Sequence, residues 1–174
     1  MNQRVETSAT PMINIHPVTP SDVPAICALA RTIWQATYTK LISQAQIDYM
    51  LADFYAPARI CAQLDTPVHA WRIAWCADEK LGFAHASLNA HLCKLDKLYI
   101  HPEYQRRGIG NALLADIKTF ARNNAASRLW LQVNRGNSSA LKAYQQYGFV
   151  VTAAHVFDIG GGFVMDDYVM EASL

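Results

Sequence analysis

Apolar and polar residues change period repeatedly along this chain, and each change predicts an element. Residues Met12 to Val18 suit a first strand. Pro20-Ser21-Asp22 then leads into a helix, with Val23, Ile26, Cys27, Ala30, Ile33 and Trp34 recurring at three- and four-residue spacing. Ser43 is placed to cap a second helix over Ile47, Met50 and Leu51, and Pro57 to Leu64 suits a short third. Trp71, Ile73 and Trp75 alternate with Arg72 and Ala74, and Asp78-Glu79-Lys80 turns the chain into Leu81-Gly82-Phe83-Ala84, which predicts a hairpin. Leu92 to Ile100 alternates again. Leu113, Leu114, Ile117, Phe120 and Ala121 return to the helical period, so a helix begins near Gly108. Leu129 to Val133 is a short apolar run of the kind found in buried strands. Asn137 is a cap for a helix from Ser138 to Tyr147, and Gly148 ends it. Two last strands, near Phe149–Phe157 and Phe163–Glu171, are joined through Gly160-Gly161-Gly162. That order predicts an α/β mixed sheet covered by helices on both faces.

Neither a repeat nor a linker divides the chain. Residues 1–11 read as a loose polar leader and 12–174 as one domain, a size that buries a substantial core. Hydrophobic residues make up 52% and charged residues 17%, which excludes a disordered chain. A net charge of +1 gives no overall pull toward nucleic acid or an anionic membrane. The charge is unevenly placed, however. Residues 94–142 hold nine Lys or Arg against three acids, whereas 143–174 hold four acids (Asp158, Asp166, Asp167, Glu171) and no Lys or Arg. Cys27, Cys61, Cys76 and Cys93 are widely spaced and read as small buried hydrophobes of a reducing compartment. With no apolar leader and no apolar run long enough to span a bilayer, a soluble cytoplasmic protein is expected.

The chemistry concentrates between the alternating strand and the helix that follows it. There Gln105-Arg106-Arg107-Gly108-Ile109-Gly110-Asn111 forms a basic glycine loop opening a helix. The first turn of a helix offers unpaired N–H groups and the positive end of the dipole, so this loop is built to receive an anion. The glycine spacing completes neither G-x-G-x-x-G nor a P-loop. It resembles instead the Q/R-x-x-G-x-G/A signature of the GCN5-related N-acetyltransferases (GNAT). The likeness extends upstream through Leu98-Tyr99-Ile100-His101-Pro102 and downstream through Asn137, Ala140, Tyr144 and Gly148-Phe149, about the C-terminal half of the chain.

The resemblance implies a GNAT-like fold, with a mixed, mostly antiparallel seven-stranded sheet and helices on both faces. It implies an acetyl-CoA-dependent N-acetyltransferase working by direct attack in a ternary complex, with acetyl-CoA as co-substrate and no metal. Residues 105–111 would hold the pyrophosphate. The backbone around Leu98, Tyr99 and Ile100 would meet the thioester where the central strand splays from its neighbour. Asn137 would bond the pantetheine arm, although as a residue it serves equally as a helix cap. Tyr144 would protonate the leaving thiolate, against its plainer reading as a core aromatic. Asp96 stands where many members carry a glutamate base; between Lys94 and Lys97 it reads as well as an ion-pair partner. The tail around Asp158 and Asp166-Asp167, with Trp34 and Tyr38, resembles bacterial spermidine/spermine acetyltransferases. This implies a small cationic amine acceptor bound by Trp34, Tyr38 and one of the tail acids, taken as Asp166 because strand alternation admits only one of the pair. Acetylation of protein N-termini or lysine, and a non-catalytic acetyl-CoA-binding domain, are the alternatives. Sheet edges in this fold often pair, which leaves a homodimer open; neither nucleic acid nor membrane is an expected partner.

Overall fold

The computed structural model describes residues 12–174; the expected leader, 1–11, lies outside the described residues. A short strand β1 (Asn14–Pro17) leads through a single 3-10 turn into α1 (Val23–Tyr38), α2 (Gln44–Phe54) and α3 (Pro57–Leu64). The hairpin β2 (His69–Cys76) and β3 (Glu79–Asn89) continues into β4 (Leu92–Ile100). Then come α4 (Ile109–Asn123), β5 (Arg128–Asn134), α5 (Ser138–Gln146), β6 (Val150–Gly160) and β7 (Phe163–Ser173). The seven strands form one sheet in the order β1-β2-β3-β4-β5-β7-β6. Every neighbouring pair is antiparallel except β4–β5.

The predicted caps are in place. Ser43 Oγ accepts from Gln46 N–H at 3.2 Å, Asn137 Oδ1 accepts from Ala140 N–H at 3.2 Å, and Gly148 turns left-handed (φ 91°) to leave α5. Strand alternation sends side chains of one kind to each face. Ala70, Ala74, Ala84 and Ala86 face α4, so that helix lies close against the sheet with Leu113 and Ile117 fully buried. Trp71, Ile73 and Phe83 point the other way, into a second cluster with Ile26, Ile33 and Ile47 of α1 and α2. Truncating any of these fully buried side chains to Ala would cost about 2–5 kcal/mol. No helix among the described residues is long and apolar enough to cross a membrane.

Two irregularities prepare the site. The β3–β4 register runs Ala86↔Leu95 and then His85↔Lys97, so Asp96 is the extra residue of a bulge. The β6–β7 hairpin is also fastened to α2. Gln46 Nε2 donates to Val164 O at 2.7 Å, and Tyr49 hydroxyl donates to Ile159 O at 3.1 Å.

Candidate active site

Between β4 and β5 the sheet comes apart. The two strands pair only over Leu92–Lys94 against Arg128–Trp130. Beyond that point β4 continues to pair with β3 as far as Ile100↔Gly82, and β5 with β7 as far as Asn134↔Asp167. Their facing edges diverge, and a cleft of about 1100 Å³ opens there. His101 N–H donates to Leu81 O at 2.8 Å. Antiparallel alternation therefore turns the main-chain groups of Tyr99 toward β3 and those of Leu98 and Ile100 toward the gap. The expected splay is present, and Leu98, Tyr99 and Ile100 all border the cleft.

At one end of the cleft stands the basic loop. Arg106 and Gly108 both have left-handed backbones (φ 62° and 82°), and Gly108 is the residue from which α4 starts. Alternating backbone hands of this kind turn successive N–H groups inward as an anion-binding nest, which the α4 dipole reinforces. The two glycines serve different needs. A Cβ at Gly108 would meet nothing within 4 Å, so conformation is what requires glycine there. A Cβ at Gly110 would lie 2.7 Å from the Tyr147 hydroxyl, so there the requirement is space. Gln105 Nε2 donates to Ile100 O at 3.3 Å and ties the loop to the strand end. Arg106, Arg107 and Asn111 are exposed beside the loop, and the Arg107 guanidinium rests over the Tyr104 ring at 5.4 Å. The residues present thus fit a pyrophosphate-bearing carrier, and the main-chain groups of Leu98 and Ile100 face the gap beside them.

The middle of the cleft is phenolic. Tyr38 hydroxyl lies 3.3 Å from Tyr99 hydroxyl, with the Asn137 side chain beside it and Tyr144 close by. Burial raises all three phenols, Tyr99 and Tyr144 most, so each keeps its proton at neutral pH. Tyr144 packs edge-on to Phe149 and Tyr147 and also borders the cleft. Trp34 borders the cleft but is only 3% exposed. Its ring packs on Tyr38 at 4.6 Å, and its Nε1 donates to Tyr55 hydroxyl at 3.3 Å. Tyr38 is therefore the wall and Trp34 the support behind it.

The carboxylates fall differently from the expectation. Asp166 points outward, half-exposed, and pairs with Arg135 at 3.0 Å; it does not border the cleft. The tail acid that does is Asp167, 6% exposed, with an Oδ1 that finds no hydrogen-bond partner among the described residues. Burial, helped by Asp166 beside it, raises the Asp167 carboxyl to about 6, with Lys94 pulling the other way. One of the pair does face the cleft, as alternation requires, but it is Asp167 and not the expected Asp166. Register decides it, since Asp167 stands opposite Asn134 on β5 and His155 on β6. Asp96 does border the cleft, but its oxygens are committed: Ser87 hydroxyl donates to Oδ2 at 2.6 Å, and Lys94 approaches Oδ1 at 3.2 Å. The buried His85 stands 3.6 Å from Oδ2. Desolvation lowers its imidazole to about 2, so it remains neutral.

Lys97 is the cleft residue that the sequence reading passed over. Its ammonium sits over Tyr55 and Trp71 at 5.5 and 5.3 Å, and burial lowers it to about 8 despite the attraction of Asp96. The bulge at Asp96 puts Lys97 on the aromatic face, and nothing in the strand's alternation announces that.

An interrupted sheet with an anion nest at the head of the following helix suits a phosphorylated ligand at the gap. The chain belongs to the Acetyltransferase (GNAT) family, the acetyl-CoA-dependent N-acetyltransferases, whose sequence model matches residues 26–149. It is 25% identical over 158 residues to a spermidine N(1)-acetyltransferase of Thermoplasma acidophilum, covering 88% of this chain and 96% of that one. The fold is similar to the crystal structure of the PaiA N-acetyltransferase from Thermoplasma acidophilum in complex with coenzyme A (TM-score 0.82, 23% identity, 94% and 99% of the two chains). It is also similar to the ribosomal-protein-S18-alanine N-acetyltransferase from Escherichia coli (TM-score 0.70, 17% identity, 93% and 94% of the two chains).

Proposed function

We propose that this protein acetylates one primary amine of a small cationic acceptor, a polyamine being the leading class, within a ternary complex. Acetyl-CoA would supply the acetyl thioester. Residues 105–111 hold its pyrophosphate end, and Asn137 steadies the arm from the start of α5. The N–H groups of Leu98 and Ile100 face the gap where charge develops on the thioester oxygen. Fixed backbone donors suit that task because they need no reorganisation during the reaction. Tyr144, protonated at neutral pH, gives its proton to the leaving thiolate.

The observation that carries the acceptor class is charge. Lys94 is matched by Asp96, which leaves Asp167 as a buried carboxylate with an unpaired oxygen on the cleft. An arriving ammonium relieves that oxygen, and Tyr38 and Tyr99 offer aromatic surface beside it. The relative from Thermoplasma acidophilum that is named for spermidine supports this reading. Thiol release from acetyl-CoA with spermidine, spermine and short amino-terminal peptides tests it. Turnover with the polyamines and little with peptides is expected. Robust peptide turnover with silent polyamines would transfer the reading to protein acetylation, and no thiol release with any amine would leave an acetyl-CoA-binding domain.

A further inference from the structure

We infer that Asp167 is the group that takes the proton from the acceptor amine, an inference resting on amine acetylation at this cleft. Among the described residues two carboxylates border the cleft, and only one is free. Asp96 already accepts from Ser87 and pairs with Lys94, so a proton placed on it displaces existing partners. Asp167 is buried, and its Oδ1 is unengaged. An isolated ionised carboxylate out of water is costly, and a fold keeps one where a ligand completes it. Its position also suits the reaction. It ends the β5–β7 ladder opposite Asn134, three residues before Asn137, and it faces the hydroxyl of Tyr38 near Tyr144.

The groups around Asp167 are few. Asp166 flanks it on β7, Lys94 reaches from β4, the exposed His155 stands directly opposite on β6, and Tyr38 and Tyr144 come from α1 and α5. Asp166 is drawn outward by Arg135, so Lys94 is the nearby cation that moderates the site, and its own partner is Asp96. A carboxyl near 6 is ionised at neutral pH and is a stronger base than an ordinary carboxylate.

The atoms balance as follows. The ammonium gives one proton to Asp167 Oδ1, and the nitrogen lone pair forms the new C–N bond. As the tetrahedral centre collapses, the C–S bond breaks and its electron pair leaves on sulfur. Tyr144 protonates that sulfur and recovers a proton from the new amide nitrogen. The proton on Asp167 passes to solvent when product leaves.

The test is the pH profile of kcat/KM for spermidine in wild type, Asp167→Asn, Asp167→Glu and Asp96→Asn. A carboxylate base that must be ionised gives a break near pH 6 and then a plateau up to the pKa of the amine. In Asp167→Asn only free amine reacts. The rate should then climb tenfold per pH unit with no break, from about a hundred-fold deficit at pH 7 to within a few-fold near pH 9. Asp167→Glu should keep a shifted break, and Asp96→Asn should keep the break at a lower rate. Melting temperature supplies a second readout that does not need turnover. Asp167→Asn should melt higher than wild type at pH 7 and alike at pH 4, and spermidine should narrow the gap by pairing with the wild-type carboxylate. An Asp167→Asn profile that keeps the wild-type break, with unaltered melting, overturns the assignment. Absence of wild-type turnover with every amine overturns the transfer reading itself, and this inference with it.

Discussion

The two ends of the cleft are made of different material. At the carrier end the working parts are main-chain groups: the left-handed backbones at Arg106 and Gly108, the first N–H groups of α4, and the edge of β4 at Leu98 and Ile100. At the acceptor end they are side chains drawn from four elements: Tyr38 from α1, Asp96 and Lys97 from β4, Tyr144 from α5 and Asp167 from β7. On the proposed reading, backbone parts hold a common carrier by a feature that every residue possesses. Side-chain parts can be exchanged one at a time, so acceptor choice is free to change while the carrier seat stays fixed.

If that division is right, the largest effects should come from single side-chain atoms at the acceptor end. Tyr144→Phe should lower kcat by about a hundred-fold or more. It should retain the rise in melting temperature produced by acetyl-CoA, since only one hydroxyl is lost. Loss of binding together with rate would make Tyr144 part of the seat instead. At the carrier end, Gly108→Val forces a branched residue into a left-handed backbone, at about 1–2 kcal/mol. Calorimetry should show acetyl-CoA affinity lower by roughly tenfold. Gly110→Ala should weaken binding by contact with Tyr147, and Tyr147→Phe in the same chain should restore it. If the double variant is no better than the single, the requirement at Gly110 is not space.

Lys97 sharpens the comparison through stability. Its folded pKa of about 8 lies below the ordinary lysine value, so the folded state binds fewer protons between pH 8 and 10.5. Wild-type stability therefore rises with pH across that window, and the penalty is fully present below it. Lys97→Met should be the more stable protein at pH 7 by about 1–3 kcal/mol, with the advantage fading toward pH 10.5. A constant difference across pH, read by denaturant unfolding, would place the ammonium in water. The smallest effect should be at Asp166. Asp166→Ala removes an exposed pair with Arg135, and kcat/KM for spermidine should change by less than two-fold.

The same division explains what a single sequence discloses. Ser43, Gly108, Asn137 and Gly148 were legible because a cap or a left-handed turn is decided within a few residues. The β4–β5 gap is a property of where a ladder stops, which depends on partners far away in the chain. Only the resemblance of the loop motif to GNAT proteins brought it into view. The choice between Asp166 and Asp167 is a single step of register, fixed by the pairing of β7 with β5 and invisible in β7 itself. At Asp96 a bulge shifts the alternation, so Lys97 lands among aromatic rings instead of on the α4 face with Cys93 and Leu95.

The opened seam has a further consequence, for amide exchange. An unpaired strand edge on the outside of a protein invites another chain to add to it. Here two such edges face each other across a gap inside the sheet. Exchange along β4 should therefore alternate residue by residue. The Leu98 and Ile100 amides should exchange quickly, with the Tyr99 amide between them protected by β3. Two amides that blink in and out of protection as the carrier comes and goes would report occupancy of the gap without any chemistry taking place.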